Sequence, residues 1–165
     1  MSGNTVFSRR GFVETLGAFG VIGSLVFVGI QVRQNSQSTR AAVVQQLGQG
    51  WVEWNVAVAT REIQGALLTV EEFDDPSKAP LLEQKIAESY VRSLLSNWST
   101  SHYQYIIGLL DQPLWDGVNR DIQSSFDPSQ SFGRLVRWAW KRNRALYAAT
   151  FSEFINSTIV AIGQK

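Results

Sequence analysis

Cysteine is absent from this 165-residue chain, which removes thiol catalysis, disulfides and thiolate metal sites together. A single histidine, His102, leaves no basis for a histidine-rich metal site. Charge is scarce as well: 18% of the residues are charged, below the usual quarter, and the formal net charge is +1. The molecule as a whole is therefore not a polyelectrolyte binder. The chain has no phosphate-cradling glycine loop, no G-x-S-x-G elbow, no H-E-x-x-H pair and no paired carboxylates at a catalytic spacing. What it has instead is 44% apolar residues, with six Trp and nine Phe. Such a composition argues against disorder. With the first 32 or so residues set aside, about 133 remain, enough for one domain with a modest core.

The longest uncharged run is Thr15 to Ile30, sixteen residues bracketed by Glu14 and Arg33. A helix from Gly11 to Val32 would be roughly 33 Å long at 1.5 Å per residue. That crosses a hydrocarbon core of about 30 Å if Glu14 lies near one interface. Residues 11–33 thus read as a transmembrane helix, preceded by a polar tail over 1–10 and followed by one helical domain over 34–165. Phe12, Leu16, Phe19, Ile22, Leu25, Phe27 and Ile30 would meet the lipid. Gly20 and Ser24 form a small-xxx-small pair through which two such helices can associate.

Two other readings of the run compete. Ser8-Arg9-Arg10-Gly11-Phe12-Val13 looks like a twin-arginine export signal, a receptor-read address. A cleaved signal needs an A-x-A-like site after the run, and the polar Gln31-Val32-Arg33-Gln34-Asn35 stands there instead. The third reading is a buried helix of a soluble protein. For an anchor, Arg9, Arg10 and the terminal amine outweigh Arg33 and Arg40 by a small margin. The positive-inside rule then puts the N-terminus inside and the domain on the outer, periplasmic side of a bacterial inner membrane.

Beyond the run the period is helical throughout, with no strand alternation. Val44, Leu47, Trp51, Trp54 and Val58 form a narrow seam, which Gly48 and Gly50 interrupt. Gly65 to Pro80, containing "EEFDDPSKAP", reads as a break. Pro80 opens the strongest helix, whose stripe Leu82, Ile86, Tyr90, Leu94, Trp98, His102 and Ile106 recurs every four residues. It ends near Gly108 to Asp111, ahead of Pro113. A short helix follows with Leu114, Trp115, Val118 and Ile122 inward. After the "DPSQS" turn, Ser129 or Ser131 is placed to cap a helix over 132–147, and Ser152 to cap the last one. The fold expected is all-α: an N-terminal transmembrane helix followed by an irregular bundle of four or five helices.

"ETLGAFGVIGSLVFVGIQVRQNSQSTRAA" resembles the start of a large group of small uncharacterised bacterial proteins, in which a membrane helix ending Q-[IV]-R-Q-N precedes a short helical domain. "SHYQYIIGLLDQPLWDG" is similar to that group's aromatic pattern, as is the Trp-basic stretch before "FSEF". The resemblance implies a membrane location and the two-part layout. It implies no activity and no cofactor.

Three clusters are candidates for chemistry. His102 has a near-neutral intrinsic pKa and would serve as a general base with a carboxylate such as Asp111 or Asp116; its place on an apolar stripe favours a packed residue. The acids Glu71, Glu72, Asp74 and Asp75 lack calcium-loop spacing and read as a solvated linker. "GRLVRWAWKRNR" is the sharpest feature. Arg134, Arg137, Lys141 and Arg144 fall on one helical face, with Trp138 and Trp140 among them. Such a face suits lipid headgroups or a protein partner; nucleic acid fits poorly with the near-neutral charge. The competing reading is a plain surface helix with one Trp packed inward and cation–π pairs formed locally. Together these features point to a non-enzymatic, single-pass membrane protein, an accessory or interaction subunit of a membrane complex. The alternative is a helical domain that binds lipid or a small apolar ligand.

Overall fold

The structure is a computed structural model describing residues 9–164, with side chains described for 17 and 19–164. Six α-helices are described: α1 Arg9–Val58, α2 Arg61–Glu71, α3 Leu81–Ile106, α4 Gln112–Ser125, α5 Ser131–Asn143 and α6 Ala149–Ile162. Single 3-10 turns, Pro76–Lys78 and Arg144–Leu146, precede α3 and α6. No strand occurs among the described residues. The all-α class expected from the sequence is what is found. The chain divides into two compact units, residues 1–41 and 42–165.

In the first unit the described residues are helical and nearly every side chain is exposed. Phe19, Val21, Ile22, Leu25, Val26, Phe27, Val28 and Ile30 are each at least 51% exposed. At 100° per residue they fall on all sides of the helix rather than on a stripe. Among the described residues, no helix is long and apolar enough to cross a membrane. Within the described side chains the apolar run from Phe19 to Ile30 is twelve residues long, where a span needs about 20. Phe12 and Leu16, named with the lipid-facing set, lie outside the described side chains, as does the arginine pair. The Ser24 hydroxyl donates to the Gly20 carbonyl at 2.8 Å, so this pair is bonded within its own helix.

The second unit is built around α3, which packs against α2, α4, α5 and α6. Its buried face is Ala87, Tyr90, Val91, Leu94, Leu95, Trp98, Ser101 and His102, the 3-4 spacing that a helix surrounded on one side requires. Leu82 and Ile106, at the ends of the expected stripe, are exposed. α3 stops where expected. Gly108 has φ +73, and the Leu109 and Gly108 N–H groups donate back to the Gln104 and Tyr105 carbonyls at 2.9 and 3.0 Å. This is the left-handed C-cap at which glycine has no Cβ penalty.

Several local expectations are corrected. Gly48 and Gly50 do not interrupt α1. Leu47, Trp51, Trp54 and Val58 pack against the core, which offsets the roughly 1 kcal/mol per glycine lost in a helix. The break begins later than Gly65, because Ala66, Leu67 and Val70 are buried and carry α2 through to Glu71. Leu114 is exposed, and only Trp115 and Ile122 of α4 are fully inward. α5 ends at Asn143, not 147. None of the expected serine caps forms. Ser131 lies inside the first turn of α5 and donates to Glu71 at 2.7 Å, Ser129 donates to Asp127, and Ser152 donates to the Arg144 carbonyl. The N-cap positions fall instead at Gln130 and Ala148, so none of the three serines stands where its oxygen could accept from the first-turn N–H groups.

Candidate functional site

The basic–aromatic helix α5 does not present one uniform face. Trp140 is 3% exposed, and its indole N–H donates to Asn156 at 3.3 Å. Its ring lies among Phe126, Tyr147 and Phe151, with centroids 5.7–6.5 Å away. Arg137 is half-buried and donates from Nε to the Phe126 carbonyl at 2.7 Å, holding the end of α4. Arg134 is half-buried and reaches Asp74 of the acidic linker at 4.0 Å. Arg142 lies 5.1 Å over the Trp138 ring and donates to Glu88 at 3.3 Å. Lys141 and Arg144 are exposed. Of the six residues expected on one helical face, Arg144 lies beyond α5 in the 3-10 turn; it, Lys141 and the half-buried Trp138 keep a solvent-facing part, Arg134 pairs at the surface, and Arg137 and Trp140 are engaged inside the fold.

His102 is 7% exposed and enclosed by aromatic rings: Trp115 at 5.4 Å, Phe151 at 5.6 Å and Phe154 at 4.9 Å. Burial lowers its pKa, favouring the neutral ring. Asp116 accepts from Gln112, which in turn accepts from the Tyr105 hydroxyl. His102 is a packed residue, as its place on the stripe suggested. The acidic linker is similarly occupied. Asp75 caps the 3-10 turn through Ser77, and its carboxyl is held below the usual range by those bonds. Among the described residues no group of acids or histidines is arranged to hold a metal ion.

The chemically unusual place is the surface where the C-terminal part of α1 faces α3 and α4. Trp51 separates two clefts. One, of about 300 Å³, is lined by Gln46, Gln49, Glu53, Asn97, Thr100 and Gln104 together with Leu47, Gly50 and Trp51. The other, of about 460 Å³, is lined by Trp51, Trp54, Asn55, Gly117, Val118 and Asp121. Trp51 and Trp54 meet edge to face, 5.7 Å apart at 82°. Trp54 is also stacked on Tyr90 at 5.1 Å. Asp121 Oδ2 accepts from the Trp98 indole N–H at 2.9 Å. Burial raises the Asp121 carboxyl above its ordinary pKa, with the Trp98 bond opposing. Burial and the charges of Asp121 and Glu71 likewise push the Tyr90 hydroxyl upward. Two buried polar atoms beside these clefts, Trp54 Nε1 and Gln104 Oε1, have no hydrogen-bond partner among the described residues.

Sequence reasoning placed Trp51 and Trp54 on a packing seam and overlooked Asp121. A weak signal was present: Asp121 sits one turn beyond Val118 and beside Ile122, a carboxylate on the edge of an apolar stripe. Compared with protein-family models, curated proteins and solved structures, the chain matches none.

Proposed function

We propose that residues 11–33 anchor this chain in a lipid bilayer and that the helical domain is a non-enzymatic accessory or interaction module of a membrane complex. The observation that carries this reading is the encircling exposure of Phe19, Val21, Ile22, Leu25, Phe27, Val28 and Ile30. Full burial of one such side chain is worth about 1.5–3 kcal/mol. A helix apolar all round is therefore costly in water and stable in hydrocarbon or inside a larger assembly. The uncharged run from Thr15 to Ile30 and the Q-V-R-Q-N exit support the same reading, as does the resemblance to small bacterial membrane-helix proteins. The arginine pair then holds one end at the headgroups. On this reading the domain faces the outer side of the inner membrane. Trp138 and Lys141 of α5, with Arg144 of the turn that follows it, are available to headgroups or a partner subunit, and Gly20 with Ser24 is the place for close helix association.

Carbonate and high-salt extraction of membranes from expressing cells tests the anchor. The chain is expected to stay in the pellet and to leave it only with detergent. Release into the supernatant would overturn the reading. Reporters fused to each terminus determine the side, with an outward C-terminus expected.

A further inference from the structure

We propose that the cleft lined by Trp51, Trp54, Asn55, Gly117, Val118 and Asp121 is a binding site for a quaternary ammonium group. Asp121 is half-buried and makes no ion pair with a lysine or arginine among the described residues. Its neighbour Arg120 is exposed. One oxygen is fixed by the Trp98 indole at 2.9 Å, and the other has no hydrogen-bond partner among the described residues. That oxygen is open to solvent, so a cation entering the cleft meets a partly desolvated carboxylate that no lysine or arginine among the described residues neutralises.

The walls select which cation. Trp51 and Trp54 form a corner of two nearly perpendicular indoles. Stacking on Tyr90 fixes Trp54 in place. Indole faces attract a cation most strongly when it is weakly hydrated, and alkylated ammonium is the class that sheds water most readily. A hard metal ion needs several oxygen ligands, and this cleft offers one carboxylate and one amide. Gly117 adds no side chain, and a Cβ there would stand in open space, so the mouth is unobstructed. The cleft, about 460 Å³, accepts a trimethylammonium group readily. That group occurs in free solutes such as choline and in the phosphatidylcholine headgroup. The inference does not depend on the anchor reading.

The test uses the full chain in maltoside micelles, a detergent without an ammonium head. Choline is titrated against the protein by calorimetry, with potassium chloride and dimethylbutanol, the neutral carbon isostere of choline, as controls. Saturable binding of choline alone is expected, with nuclear Overhauser contacts from its methyl protons to the Trp51 and Trp54 indoles. Asp121→Asn keeps an acceptor for Trp98 and is expected to weaken binding at least tenfold. Absence of those contacts in the unaltered protein, equal binding of dimethylbutanol, or unchanged affinity in D121N would each overturn the proposal. The contacts in the unaltered protein decide the matter even if the variant fails to fold. The source is then separated in phosphatidylglycerol nanodiscs. Contacts with added choline identify a solute, contacts that appear only with phosphatidylcholine in the disc identify a headgroup, and contacts with neither overturn the site.

Discussion

Gly133 shows how narrow the tolerance is at single residues in this domain. A Cβ built there would lie 1.8 Å from the Asp127 carbonyl oxygen, a backbone atom of the turn between α4 and α5. The turn has no room to retreat, because Arg137 holds the Phe126 carbonyl beside it. Gly133→Ala is expected to lower stability by about 3 kcal/mol, as overpacking does where relaxation is blocked, and a urea melt measures it. His102 makes a pH prediction. Its folded-state pKa is lowered from 6.5 by burial, so the folded form holds fewer protons than the unfolded chain below that pH. Stability is therefore complete above about pH 6.5 and falls as pH drops from there toward the folded-state pKa. H102F is expected to flatten that part of a chemical-denaturation profile. Asp121 has the opposite sign. Its folded-state pKa is raised, so its contribution is complete below about pH 3.8 and is lost as pH rises through the folded-state value. D121N should thus be more stable than the parent at pH 7, a gain at the expense of the proposed site. A less stable D121N would mean that the carboxylate is compensated in the native state.

Among the helices, α3 concentrates the energetics. Leu95 and Trp98 are fully buried, and Leu94 is 2% exposed. Leu95→Ala is expected to cost roughly 2–5 kcal/mol, whereas Lys141→Ala on the exposed part of α5 should stay within about 0.5 kcal/mol. Paired thermal melts check both. The four-residue recurrence of α3 was legible because a helix covered on one side by several neighbours must keep one apolar face. α2 was less legible. Gly65 looked like the start of a break, yet Ala66, Leu67 and Val70 bury against the core and propensity yields to packing. The expected serine caps failed for a related reason. Packing sets the helix starts at Gln130 and Ala148, and Ser131, one residue inside α5, donates to Glu71, sixty positions away in the chain.

At the scale of the whole chain, the buried cluster falls within residues 42–165. A fragment of those residues is expected to keep its helical circular-dichroism spectrum and cooperative melting on its own. Membrane retention is expected to travel with residues 1–41, which a carbonate extraction of the two fragments, each fused to a soluble reporter, would show. If residues 42–165 alone resist carbonate, the association lies in the domain and the anchor reading fails.

Much was decided by composition and period. Absent cysteine, one histidine and an apolar repeat of 3.6 established the helical class, the central helix and the lack of a thiolate metal site, because these follow from residue types and their order alone. The uncharged run at 15–30 was equally plain, since the cost of wetting apolar side chains is a local property. Only the tertiary structure could divide the cations of α5 into those that hold loops and those that face water, because that depends on which backbone carbonyl or carboxylate lies opposite. The same holds for Asp121. In sequence it is one acid among fourteen acidic residues. Its half-burial against Trp98, beside the corner of Trp51 and Trp54, comes from the packing of α1, α3 and α4, and the lack of an ion pair among the described residues is what gives it chemical meaning.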